Sequence, residues 1–214
     1  MSKTISEIYK EYRIMPGLDS HMYRVAAVAS MICDNFKESL PTNDIVTACL
    51  LHDMGNIIKS NLQYFPEFLE PEGLEYWQNV KNEYIKKYGN DEELAHKKII
   101  AKLGVSEKVI ALVDQISFPL CCSHKDNPDF AVKIVNYADW RVSPYGVVSY
   151  DERMDEAKKR YKFKESEEAE RQILIKCGRE MEKQIFSKCK IKPEDINDKT
   201  VAPTLLNLKN FVVK

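Results

Sequence analysis

Long apolar runs are missing from this chain: nowhere in its 214 residues does a stretch approach the roughly 18 consecutive apolar residues of a membrane-spanning helix. The opening residues, MSKTISEIYKEYR, are polar and charged and hold no apolar centre of a secretory leader. A cytoplasmic protein without a membrane partner is therefore expected. Net charge is missing as well. With 32 Lys and Arg against 33 Asp and Glu the formal charge is −1, so no bulk electrostatic bias draws the chain to nucleic acid. There is no strand-like alternation, no internal repeat and no low-complexity tract. Histidine is scarce, with four in all, at positions 21, 52, 96 and 124.

Six cysteines, at 33, 49, 121, 122, 177 and 189, are scattered along a chain large enough to bury a core without covalent staples. Cys33 and Cys49 fall on apolar helical positions, and all six are expected to be reduced, mostly structural thiols. Cys121 and Cys122 stand beside His124, but adjacent cysteines chelate poorly together and no second CxxC-type pair exists, which argues against a thiolate zinc site.

What the chain does contain is helical periodicity. Leu18, Met22, Val25, Ala26, Ala29, Ile32, Cys33 and Phe36 recur at helix spacing behind Pro16-Gly17, with Asp19 as the expected N-cap. A second helix from Thr42 or Asn43 runs through Ile45, Val46, Ala48, Cys49, Leu50 and Leu51, so apolar that it must be buried, and His52-Asp53 lie on its last turns before Gly55. Residues 60–90 are aromatic-rich, broken by Pro66, Pro71 and Gly73, and read as an insertion. Helices follow from Asn90-Asp91 to Gly104, from Ser106 to Phe118-Pro119, and from Pro128 through Val142, with CCSHKDNPD as a loop between the last two. Beyond Tyr150 the segment to Phe186 reads as two charged amphipathic helices, and Pro193 precedes a last apolar segment, Val201 to Val213. The expected fold is all-α, with a helical domain over 1–150 and a C-terminal helical extension over 151–214 packed on it.

His52-Asp53 alone is a weak signal, since any dipeptide recurs by chance. Its setting strengthens it: two side chains that are costly to bury without partners sit together at the end of the most apolar helix, and a divalent ion would satisfy both. Successive residues on a helix splay by about a quarter turn, so both reach one cavity only at the helix end.

The segments HMYRVAAVAS around His21, ACLLHDMGNI around His52 and VNYADWRVSP around Asp139 resemble the motifs of the HD-domain metal-dependent phosphohydrolase superfamily, over roughly residues 15 to 150. The resemblance implies a helical bundle in which His21, His52, Asp53 and Asp139 bind metal. His96 and His124 fall where binuclear members carry further ligands. In this the chain resembles the subgroup that includes the symmetrical dinucleoside tetraphosphatases, and equally the mixed-valence di-iron oxygenases built on the same fold. The implied arrangement gives His21, His52 and Asp139 to one ion and His96 and His124 to another, with Asp53 bridging as the catalytic carboxylate; with four ligands only, the site holds one ion. Fe, Mn, Co, Mg, Ni and Zn all suit such ligands.

Arg24 and Arg141 are the expected phosphate-binding residues. Many HD proteins carry a basic residue shortly after the HD pair, as HDxGK, whereas Asn56 stands there in this chain and Lys59 comes later. Tyr64, Phe65, Phe68, Tyr76, Trp77, Tyr84 and Tyr88 either pack the insertion or cap a nucleobase. The expected activity is hydrolysis of a small phosphorylated substrate, a nucleotide or related phosphate ester. The alternatives are a di-iron oxygenase and a non-catalytic metal-binding regulatory module whose charged C-terminal helices make a homodimer or partner contact. Specificity is expected where the resemblance stops, in the insertion and the C-terminal helices.

Overall fold

The computed structural model describes residues 3–161 and 164–213. Lys162 and Phe163, read above as part of the charged helices, lie outside the described residues, as do Met1 and Ser2. Helices dominate, in the order α1 (Ile5–Glu11), α2 (Pro16–Asp34), α3 (Thr42–Leu51), α4 (Gly73–Tyr88), α5 (Glu92–Leu103), α6 (Glu107–Asp114), α7 (Cys121–Asp126), α8 (Phe130–Asp139), α9 (Tyr150–Tyr161), α10 (Glu168–Ser187) and α11 (Asp198–Leu208). Short 3₁₀ turns occupy Asn56–Ile58 and Phe118–Leu120 among other connections. Two ladders of two-residue strands accompany them, β1 (Lys3–Thr4) with β4 (Val212–Val213) and β2 (Val142–Ser143) with β3 (Gly146–Val147). Such pairs are too short to leave an alternating pattern in the sequence.

The core forms around α2, α3 and α8. All of Ile45 to Leu51 in α3 is buried, and α3 packs chiefly on α2, where Ala26, Ala27 and Ala29 are small enough to let the helices approach closely. Burying a Leu such as Leu50 contributes roughly 1.5–3 kcal/mol, so the hydrophobic term places α3, and with it the chain just beyond its end. Pro16 starts α2 at its first position and Met15 is the N-cap. Asp19 therefore lies inside the first turn, not at the cap as expected: proline's fixed φ sets the start earlier.

Two further boundaries differ from expectation. CCSHKDNPD is not a loop: Cys121–Asp126 form α7, whose buried Cys121 and His124 face the interior while the Cys121 thiol donates to Leu174 O of α10 at 3.2 Å. Tertiary burial, not local propensity, makes this helix. The helix expected to reach Val142 stops at Asp139, because Val142 pairs with Val147 and draws the chain into the β2–β3 hairpin.

The insertion is mostly packing. Trp77, Val80, Tyr84 and Tyr88 form the buried stripe of α4, and the Trp77 indole N–H donates to Leu69 O at 3.0 Å. The C-terminal helices lie on the core, α11 against α2 and α10 against α7 and α8.

Arg141 fastens this layer. It is 2% exposed, and its guanidinium donates to Val148 O, to Tyr137 Oη at 2.7 Å, and to Pro193 O and Ile196 O at 3.2 and 2.8 Å. The expected phosphate-binding role is corrected accordingly: these donors are committed to backbone and phenol. Arg141→Met should lower stability by about 3–5 kcal/mol, because it strands buried acceptors. Denaturant melts would show this, while metal content per folded chain stays unchanged.

A second covalent correction concerns the thiols. Cys122 and Cys177 form a disulfide between α7 and α10, across a sequence separation of 55 residues. Cys33, Cys49, Cys121 and Cys189 are free and buried. Burial pushes the Cys33 and Cys121 thiols up to about 12, so they remain protonated and inert.

Candidate metal centre

Four ligand-type side chains converge from three stretches of chain. His21 comes from the second turn of α2, His52 from the C-cap of α3, Asp53 from the turn that follows, and Asp139 from the last residue of α8. One ligand atom each of His21, His52 and Asp53 lies within 4.8 Å of the others. Asp139 Oδ1 is 3.0 Å from His21 Nε2 and 3.5 Å from His52 Nε2, and Asp53 Oδ2 is 3.9 and 3.7 Å from the same two nitrogens.

Hydrogen bonding sets what His52 can offer. Its Nδ1 lies 2.8 Å from Cys49 O, a partner that only accepts, so Nδ1 carries the proton and donates. In the neutral ring Nε2 then aims a lone pair at two carboxylates, and this buried atom makes no hydrogen bond of its own. That juxtaposition is repulsive unless a proton or a metal cation lies between. Without a metal the proton supplies the charge: burial works against the imidazolium, but Asp53 and Asp139 outweigh it and hold His52 up to about 9. Burial likewise opposes charge on Asp139, yet the hydrogen bond with His21 and the nearby His52 ring keep its carboxyl well below the usual range, and Asp53 is lowered by the same histidines. The donor set is one that a divalent cation fits.

A cavity of about 720 Å³ opens here, with His52, Asp53 and Asp139 in its lining. His96 of α5 also lines it. Only 8% exposed, His96 has no hydrogen bond on either ring nitrogen, and burial pushes it down to about 4, leaving a neutral imidazole. Gly55 explains its approach: a Cβ there would meet Glu92 O at 2.9 Å and the His96 backbone nitrogen at 3.0 Å, so only glycine lets the turn after the HD pair lie against the start of α5.

The remaining expected residues lie elsewhere. His124 is 1% exposed on α7 with both ring nitrogens unbonded, but it is not among the residues lining the cavity, and burial alone shifts it. Arg24 is outside the lining too, its Nε 3.9 Å from Asp198. None of the seven aromatic side chains of the insertion lines the cavity. Lys59, Lys97, Phe118, Trp140, Arg153, Tyr161 and Arg171 do. Of these only Lys59 attracted notice in the sequence. Arg171 left a signal, since it occupies the buried stripe that continues through Ile175, Gly178, Met181 and Ile185 of α10. Lys97 and Arg153 left none.

No helix among the described residues is long and apolar enough to cross a membrane. Searches of curated proteins and of solved structures return no match to the chain. The family model for the HD domain matches residues 18–140, more than half of the chain, opening before His21 and closing just after Asp139. With that span, an all-helical bundle and the His–HD–Asp convergence at its centre, the chain belongs to the HD-domain family, whose members are metal-dependent hydrolases.

Proposed function

We propose that this chain is a phosphohydrolase acting on a nucleotide or related phosphate ester, with His21, His52, Asp53 and Asp139 holding a divalent ion and His96 positioned to hold a second. The observation that carries the reading is the convergence of these four side chains, of which His52, Asp53 and Asp139 line a cavity that also presents Lys59 and Lys97. When bound, such an ion shields phosphoryl charge and lowers the pKa of water.

The chain's own residues supply the rest. The Cys49 carbonyl fixes the tautomer and direction of His52. Asp53 is the carboxylate that acts most strongly on His96, which suits it to join the two halves of the centre. Burial disfavours the Lys59 ammonium, but Asp53 and Glu92 keep it charged, with Glu92 3.0 Å away. Lys59 thereby takes the place of the basic residue absent at Asn56, and Lys97 follows His96 on the same helix. Phe118 and Trp140, in edge contact at 5.4 Å, line the cavity with apolar surface that limits water there.

Protein purified without chelator or histidine tag, loaded with Mn, Fe, Co or Mg, should hydrolyse members of a phosphate-ester panel, and Asp53→Ala should not. Bound metal should lie between one and two ions per chain and drop with His96→Ala. An iron-loaded protein that consumes oxygen but releases no phosphate would overturn the reading in favour of the oxygenase.

A further inference from the structure

We infer that the part of the cavity lining contributed by α9 and α10, beyond the matched HD span, is an anion subsite for a second negatively charged group of the substrate. This deepens the phosphohydrolase reading and rests on it only for the first group, the phosphoryl at the metal centre.

A single phosphoryl group fills a small part of about 720 Å³. Besides His52, Asp53 and Asp139 the lining includes the apolar Ile116, Phe118, Trp140 and Met154, and the cations Arg153 and Arg171 from α9 and α10. Both are largely covered, Arg171 to the point of 6% exposure. A guanidinium withdrawn from water needs its donors taken up, by carbonyls or by anions.

The carboxylates nearby are shared. Glu156 takes Arg153 Nη1 at 2.8 Å and Arg160 Nε at 2.9 Å. Glu168 takes Lys158 at 3.0 Å and lies 3.7 Å from Arg171 Nη1, while Arg171 Nη2 donates to Met154 O at 2.5 Å. Arg171 is thus anchored in the wall, and Arg153 is the residue placed to reach a ligand. Arg153 uses Nε for Val142 O and Nη1 for Glu156, and neither bond engages Nη2. With Nη2 uncommitted, the guanidinium can donate to a carboxylate or phosphate. The ligand this describes is an organic phosphate with a flat or apolar middle and a second anionic group.

The test is equilibrium binding to the metal-loaded protein, read before product accumulates, using two ligand pairs: adenosine 5′-monophosphate against adenosine 3′,5′-bisphosphate, and phenyl phosphate against 4-carboxyphenyl phosphate. The first pair reads a phosphate as the second group and the other a carboxylate. In at least one pair the doubly charged member should bind about 10-fold more tightly. Arg153→Met should erase that preference and Glu156→Gln, which frees Arg153, should enlarge it. A merely structural role for these residues does not produce opposite signs, and melting curves of both variants establish that they fold. Equal affinities within both pairs, or a preference untouched by Arg153→Met, would overturn the subsite. A preference without hydrolysis of any ester would leave the subsite standing and remove the phosphohydrolase reading.

Discussion

Asp139→Asn should strip the protein of its metal and reduce phosphate-ester hydrolysis by more than about 100-fold, the upper end of what losing even a supporting residue of a metal site costs. The substitution keeps shape and removes charge. Oδ1 of Asp139 is the atom nearest both histidine nitrogens, at 3.0 and 3.5 Å, so its charge is what makes the pocket attractive to a cation. The amide oxygen introduced by the substitution still accepts a hydrogen bond from His21, and the end of α8 should remain folded. Thermal melts separate binding from folding. A ligand that binds only the native state at about 1,000 times its dissociation constant stabilises it by about 4 kcal/mol. Wild type should therefore melt at higher temperature with Mn than with chelator, while Asp139→Asn should melt alike in both. A variant that retained the metal-induced shift would remove Asp139 from the ligand set.

Much of this centre could be read from the chain because its chemistry is local. His52 and Asp53 follow a helix whose burial is dictated by composition, and His21 and Asp139 lie on helices whose apolar stripes point to the same core. Side chains that must be buried and cannot be buried alone announce a partner. Arg141 shows the limit of the same logic. An arginine two residues after Asp139 looks like a phosphate contact, but its direction is set by the hairpin that starts at Val142 and by carbonyls more than fifty residues later. His124 lies outside the cavity for a related reason, since its place is set by the packing of α7 on α10 and α8. The cavity wall was legible only in part: Arg171 sits in a buried stripe, but Arg153 and Lys97 look like ordinary charges on amphipathic helices, and only the tertiary packing brings them to the cavity.

The disulfide belongs to the same category, because pairing between residues 55 positions apart depends on docking α7 against α10 and not on spacing. Its stability effect can be bounded. In the chain-entropy account a bridge closing a loop of that length stabilises the native state by about 4 kcal/mol, and measured values often fall short. For a domain of this size each kcal/mol shifts the melting temperature by roughly 2–4 °C, so reduction should lower it by about 10 °C. The cavity should respond too. Cys122 follows the 3₁₀ turn Phe118–Leu120, and Cys177 lies on the helix that carries Arg171, so both lining segments are tied through the bridge. Hydrogen exchange in 116–126 and 168–178 should accelerate on reduction, with α2 and α3 unaffected, because their contacts do not pass through it. The double variant Cys122→Ser, Cys177→Ser should melt with the reduced protein, insensitive to reductant. If oxidised and reduced wild type melted together, with alkylation confirming two thiols released, the packing of α7 on α10 would be sufficient by itself and the bridge would contribute little to holding the wall.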